Sequence, residues 1–193
     1  MSDLALARHA APLNATPEAN LDQPTIAAGR FTLRPLRASD AGLIQHYTSD
    51  RRLAEGTRAI PHPLPPGAAQ GYVERAISAD RVEDVWAIDA TGSDQCELLG
   101  VVSLTRLEDE QSELGFWIGA GFWNTGFATE AVQALVAANP HNARTLFAEA
   151  FQDNPGSAKV LTNCGFEYLG DAESWSVARG ARVPTWTYLR QMR

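Results

Sequence analysis

The segment Gly121-Phe122-Trp123-Asn124-Thr125-Gly126-Phe127-Ala128-Thr129-Glu130-Ala131 constrains this chain more than any other. An extended apolar run, Leu114-Gly115-Phe116-Trp117-Ile118, precedes it. A helical stripe follows, with Ala128, Ala131, Val132, Leu135 and Val136 at helix spacing. The order is strand, glycine-bearing turn, helix. Such a turn exposes the first backbone N–H groups of the helix, which have no partner inside it. Those amides and the helix dipole favour an anion, most often a phosphate. Gly126 lets the backbone approach the anion closely, and Ala128 keeps the helix mouth uncrowded. An ordinary strand-to-helix connection with a glycine in the turn would read the same way. No Gly-Lys-Ser/Thr follows, so the segment is not a P-loop, and without a glycine triplet it is not a dinucleotide fingerprint.

The 193 residues suit one domain with an extension. A formal net charge of -7 and the lack of a basic block argue against nucleic acid as the main partner. The acidic balance suits a cationic substrate. Cys96 and Cys164 lie far apart and give neither metal spacing nor a disulfide framework, so no metal is expected and a reducing cytoplasm is the default. No run approaches the roughly 18 apolar residues of a membrane helix, and the N-terminus lacks the apolar core of a signal peptide.

Residues 1–27 are rich in Ala, Pro, Asn and Asp without a sustained period and read as a poorly ordered extension; the folded domain is expected over 28–193. Arg30 to Arg34 alternates as a strand, which Pro35 stops. Ser39-Asp40 offers an N-cap for a helix near 40–48, and a second short helix covers Asp50 to Gly56. The proline-rich stretch Ile60 to Gly67 is a stiff loop. Ala68 to Ile77 reads as a helix with Tyr72, Val73 and Ala76 inward. Strands follow at Val85–Asp89, Leu98–Leu104 and Ser112–Ile118. The last of these puts Glu113, Gly115 and Trp117 on one face and Leu114, Phe116 and Ile118 on the other. The helix after the glycine turn ends near Asn139-Pro140, and Thr145–Phe151 is the next strand. Asn154-Pro155 is a strong helix start, and that helix ends at Gly165. Strands at Phe166–Leu169 and Thr185–Leu189 close the chain. This order predicts an α/β fold with a mixed sheet and helices on both faces.

These segments together resemble the GNAT N-acetyltransferase superfamily, and within it the group that includes the ribosomal-protein-alanine N-acetyltransferases. The resemblance spans about residues 30–190. It rests on Phe31-Thr32-Leu33-Arg34-Pro35 with Asp40, the Pro61-His62-Pro63 loop, Glu113 to Ile118, Trp123 to Ala131, and Asn154 to Leu161 ending in Cys164-Gly165-Phe166. It implies a central, mostly antiparallel sheet splayed between its fourth and fifth strands. It also implies acetyl-CoA as cofactor, its pyrophosphate held by Asn124, Thr125, Gly126, Phe127, Ala128 and Thr129. The pantetheine arm would lie in the splay and pair with backbone groups of Trp117 and Ile118 like an added strand, with Asn154 near its pantetheine end. A homodimer is expected on the resemblance alone. Two features depart from the family pattern. Trp123-Asn124 stands where Gln or Arg opens the glycine motif and Gly often follows. Leu161 stands where many members carry a tyrosine general acid, so no such acid is available there.

Acetyl transfer to an amine needs a positioned thioester, a donor for the oxyanion and a proton acceptor. Direct attack in a ternary complex is expected, because Cys164, at a helix end beside Gly165, is poorly placed as a nucleophile. Glu113 is the candidate base, against the alternative of a strand glutamate in an ion pair. Ser157 is the candidate partner of the thiol sulfur, a role the resemblance supplies. A backbone N–H in the region 116–118 would polarise the thioester carbonyl. Lys159 is a candidate phosphate contact, and His62, Tyr72 and Arg58 are candidates for the acceptor side.

The leading expectation is an N-acetyltransferase acting on a primary amine, either a protein N-terminus or a small molecule. A non-catalytic acyl-CoA-binding or regulatory module on the same fold, and an unrelated phosphate-binding α/β domain, are the competing readings.

Overall fold

The computed structural model describes residues 23–93 and 95–192. Its sheet has eight strands: β1 (Ile26–Ala27), β2 (Thr32–Pro35), β3 (Glu83–Asp89), β4 (Gly100–Arg106), β5 (Gln111–Ile118), β6 (Thr145–Phe151), β7 (Glu167–Ser176) and β8 (Ala181–Gln191). The helices are α1 (Ala41–Thr48), α2 (Arg51–Glu55), α3 (Ala68–Ile77), α4 (Phe127–Ala138) and α5 (Pro155–Asn163). The spatial order is β1-β2-β3-β4-β5-β6-β8-β7, and every neighbouring pair is antiparallel except β5–β6.

The expected boundary at residue 27 needs correction. Ile26 and Ala27 pair with Leu33 and Thr32, the Gln23 amide donates to Val85 O, and Trp86 Nε1 donates to Pro24 O, each at 2.8 Å. These contacts make 23–27 part of the folded unit. The extension expected over 1–22 lies outside the described residues. The last two strands are longer than the sequence predicts, because exposed polar residues continue β7 to Ser176 and hide its length.

Side-chain alternation splits the core into two layers. Trp86, Ile88, Val102, Leu104, Leu114 and Ile118 face α4 and α5, whose Val132, Leu135 and Leu161 are almost fully buried. Val85, Ala87 and Val101 face the opposite layer, built on Ile44 of α1 and Val73 of α3. A fully buried side chain of this kind contributes about 1.5–3 kcal/mol. Helices therefore cover both faces, as expected.

A buried ion cluster fixes α1 against this frame. Arg34 Nη1 and Nη2 donate to the two oxygens of Asp40 at 2.8 and 2.9 Å, and its Nε donates to Asp89 at 2.6 Å. The Asp40 bond is the strongest influence raising the Arg34 pKa, burial opposes it, and the net is a guanidinium held firmly charged.

β5 and β6 pair through only Gln111↔Thr145, Ser112↔Leu146 and Glu113↔Phe147. Beyond Glu113 the strands part. This is the splay expected between the fourth and fifth strands, shifted one place by the short β1.

Candidate active site: a splayed cleft with an anion cradle at one end

The open edge of β5 can be read from its register. Gly119 N donates to Leu99 O and Leu107 N donates to Gln111 O, each at 2.9 Å. Backbone direction alternates along a strand, so Gln111, Glu113, Gly115 and Trp117 turn their N–H and C=O groups to β4. Leu114, Phe116 and Ile118 turn theirs to the opening. Of the two expected strand contacts, Ile118 therefore presents backbone to the cleft and Trp117 does not; Phe116 takes its place. Trp117 contributes its side chain to the cavity wall instead. The Ile118 carbonyl already accepts from Trp123 Nε1 at 2.8 Å.

The strand leads into the glycine turn. Gly126 is the N-cap of α4 with φ 84°, and Asn124 also has positive φ, 61°. An L-residue with a Cβ is strained in this region and glycine is not. The first bond of α4 is Glu130 N to Gly126 O at 3.1 Å. The amides of Phe127, Ala128 and Thr129 thus have no partner within the helix. Thr125 spends its hydroxyl on Phe122 O at 2.5 Å. Sequence reasoning missed Arg30 at this place. Its Nε donates to Glu130 at 2.6 Å, Nη1 donates to Thr125 O at 3.1 Å, and the guanidinium lies 4.1 Å from the centre of the Phe127 ring. The turn thus carries the Arg30–Glu130 ion pair beside its free amides.

At the other end, α1, α3, the 56–67 loop, β5 and β6 line a cavity of about 570 Å³. Glu113, Ser157, Trp117, Tyr72 and Arg58 all line it. Arg58 donates through Nη2 to Glu113 and through Nη1 to Glu149 Oε2, the latter at 3.3 Å. Ser174 Oγ donates to the same Glu149 oxygen at 2.5 Å. Glu149 carries no motif. Its one sequence signal is a carboxylate alternating with Phe147 and Phe151 on a strand. Burial, the largest influence, and Glu83 hold the Tyr72 phenol well above its ordinary range, with Arg75 opposing, so it is a neutral donor at physiological pH. Gly115 packs closely on Ser103, where a Cβ would lie 2.8 Å from Ser103 Oγ.

The other expected residues fall outside the wall. Asn154 caps α5 by accepting from Ser157 N at 3.2 Å. Lys159 is exposed on α5. The wall beside His62 is made by Pro61 and Leu64, and His62 buries an Nδ1 that has no hydrogen-bond partner. The His62 residue as a whole is half-buried. Burial pushes the Cys164 thiol up to about 11, with Arg190 opposing weakly, which agrees with its exclusion as a nucleophile.

The family model of the acetyltransferase (GNAT) domain matches residues 30–167. The chain belongs to the GNAT acetyltransferase family. A GNAT relative from Bacillus licheniformis, the uncharacterized N-acetyltransferase p20, is 24% identical over 170 residues, which are 85% of this chain and 94% of that protein. Among solved structures, the ribosomal-protein-S5-alanine acetyltransferase from Vibrio fischeri superposes with a TM-score of 0.73 at 18% identity, covering 88% of this chain and 97% of that one. The spermidine N-acetyltransferase from Vibrio cholerae, solved with CoA and spermine, gives 0.71 at 16% identity, covering 84% and 96%. No helix among the described residues is long and apolar enough to cross a membrane, and none of their His, Cys, Asp and Glu side chains group as a metal site.

Proposed function

We propose that this protein transfers the acetyl group of acetyl-CoA directly to a primary amine within a ternary complex. The observation that carries the reading is the continuity of the open β5 edge with the α4 N-terminus. The pantetheine arm would run along Phe116 and Ile118, and the pyrophosphate would meet the amides of residues 127–129 with Arg30 beside them. This brings the thioester to the cavity that Glu113 and Ser157 line. The amine nitrogen attacks the carbonyl carbon, a C–N bond forms and the C–S bond breaks. A cleft-facing N–H of Phe116 or Ile118 stabilises the oxyanion. Glu113 takes the ammonium proton before attack, directly or through water; the proton that the nitrogen sheds as the C–S bond breaks passes to the departing thiolate, which leaves as CoA with Ser157 hydrogen-bonded to its sulfur. Asn154 would support the arm through the α5 cap, and Lys159 would meet a phosphate from the exposed face of α5.

Two free cysteines, Cys96 and Cys164, favour a reducing cytoplasm. The homodimer implied by the resemblance belongs to the same proposal and is checked by sedimentation.

Calorimetric titration with acetyl-CoA, CoA and ATP in parallel tests the cofactor. Binding of both thiol cofactors and not of ATP is expected; no binding of CoA would overturn the reading. Glu113→Gln tests the base. Turnover should fall about 100-fold or more with acetyl-CoA affinity unchanged, and an unaltered kcat removes Glu113 from that role.

A further inference from the structure

Arg58 stands between two carboxylates on opposite banks of the splay, Glu113 on β5 and Glu149 on β6. Its backbone is anchored, because Val177 N donates to Arg58 O at 2.9 Å, while its side chain is 46% exposed. A pair this exposed is weakly held, so the guanidinium is easily displaced into solvent. Displacement frees the Glu113 oxygen that Arg58 holds. Glu149, steadied by Ser174, is then left as a second unpaired carboxylate in the same cavity. The ionisable groups on the wall are Glu83, Glu113, Glu149, Arg58 and Arg75, a formal charge of -1 that becomes -2 when Arg58 swings out.

A separate observation also points to a ligand. Thr185 is 1% exposed and lines the cavity, yet its Oγ1 has no hydrogen-bond partner. Thr185 pairs with Phe151, two residues along β6 from Glu149 and on the same face. A buried hydroxyl without a partner is destabilising, and a polar group on the occupant satisfies it.

Resting on the acetyl-transfer reading of this cleft, we infer that the acceptor is a primary amine bearing a second positive charge, which Glu149 selects and for which Arg58 holds the place. The reacting nitrogen lies by Glu113, and the second cationic centre lies by Glu149 with the Thr185 hydroxyl within reach. Arg58 competes with the acceptor and is released when it binds.

The test compares propylamine and butylamine with 1,3-diaminopropane and 1,4-diaminobutane at saturating acetyl-CoA, on the wild type, Glu149→Gln, Glu149→Asp, Arg58→Gln and Thr185→Val. The wild type should prefer the diamines at least tenfold in kcat/KM. Glu149→Gln should abolish that preference through KM, with kcat largely retained, and Glu149→Asp should restore part of it. Arg58→Gln should lower KM for the diamines, and Thr185→Val should raise it. Turnover without discrimination between mono- and diamines, or a preference that survives Glu149→Gln, overturns this inference alone. Failure to bind acetyl-CoA, read by calorimetry on the same samples, overturns the transfer reading and this inference with it.

Discussion

The indole Nε1 of Trp123 donates to the carbonyl oxygen of Ile118 at 2.8 Å, closing the last acceptor on the open edge of β5. An arm pairing along that edge must either leave this carbonyl to Trp123 or displace the indole. If displacement occurs, Trp123→Phe frees the carbonyl in advance. Acetyl-CoA should then bind about fivefold more tightly, the worth of one neutral hydrogen bond, with acceptor KM unchanged. Unaltered or weaker binding by calorimetry rejects the competition.

Gly126 has φ 84° at the N-cap of α4. Gly126→Ala should cost about 1 kcal/mol of stability and weaken acetyl-CoA about tenfold by disturbing the cradle. Gly180, with φ 59° between β7 and β8, is the control. Gly180→Ala should carry a similar strain cost in urea unfolding and leave acetyl-CoA affinity intact. Equal affinity in the two variants would show that Gly126 serves only the turn.

Asp84 sits among Arg81 at 2.5 Å, His141 Nε2 at 2.9 Å and, through that ring, Ser112 Oγ at 2.9 Å. Burial, the largest influence, opposes its ionisation, but His141 and Arg81 together outweigh it and hold the carboxyl below its ordinary 3.8. The folded value is depressed, so the stabilisation is complete above that pH and is lost as pH falls through the lower folded value. Asp84→Asn should cost about 3 kcal/mol at pH 7, and its gap to the wild type should shrink below about pH 4. A pH-independent gap in unfolding midpoints would reject the linkage.

Cys96 is exposed and Cys164 buried. At pH 7.5 Ellman's reagent should titrate one thiol in the native protein and the second only after unfolding, because burial raises the Cys164 thiol to about 11. Two fast-reacting thiols would show that α5 opens readily.

The elements that rest on neighbours in sequence were legible. Asn154-Pro155 announced its helix, Gly126 its turn, and α3 has the limits the pattern set. Strand alternation set the face of Glu113, helix phase turned Tyr72 inward, and the family resemblance singled out Ser157; all three line the cavity. The relationships that complete the site are remote. Arg30 reaches Glu130 across 100 positions, and Arg58 reaches Glu149 across 91. No local period encodes such pairs, and neither Arg30 nor Glu149 lies in a motif. The loop at His62 was legible as stiff, but whether its side chain would join the cavity wall was not, and the wall there is Pro61 and Leu64. Trp117 misled because the phase of backbone hydrogen bonding depends on which strand pairs with β5.

Three residue pairs are all that join β5 to β6. Mechanically the sheet is two plates, β1–β5 and β6–β8, fastened at one end like the blades of partly opened shears. The open edge of β5 and both banks of the cavity lie between those blades. Whatever seats in the gap stitches one plate to the other, so occupancy and rigidity rise together, and a substitution at the fastened end, around Ser112 and Leu146, reaches the chemistry without touching it.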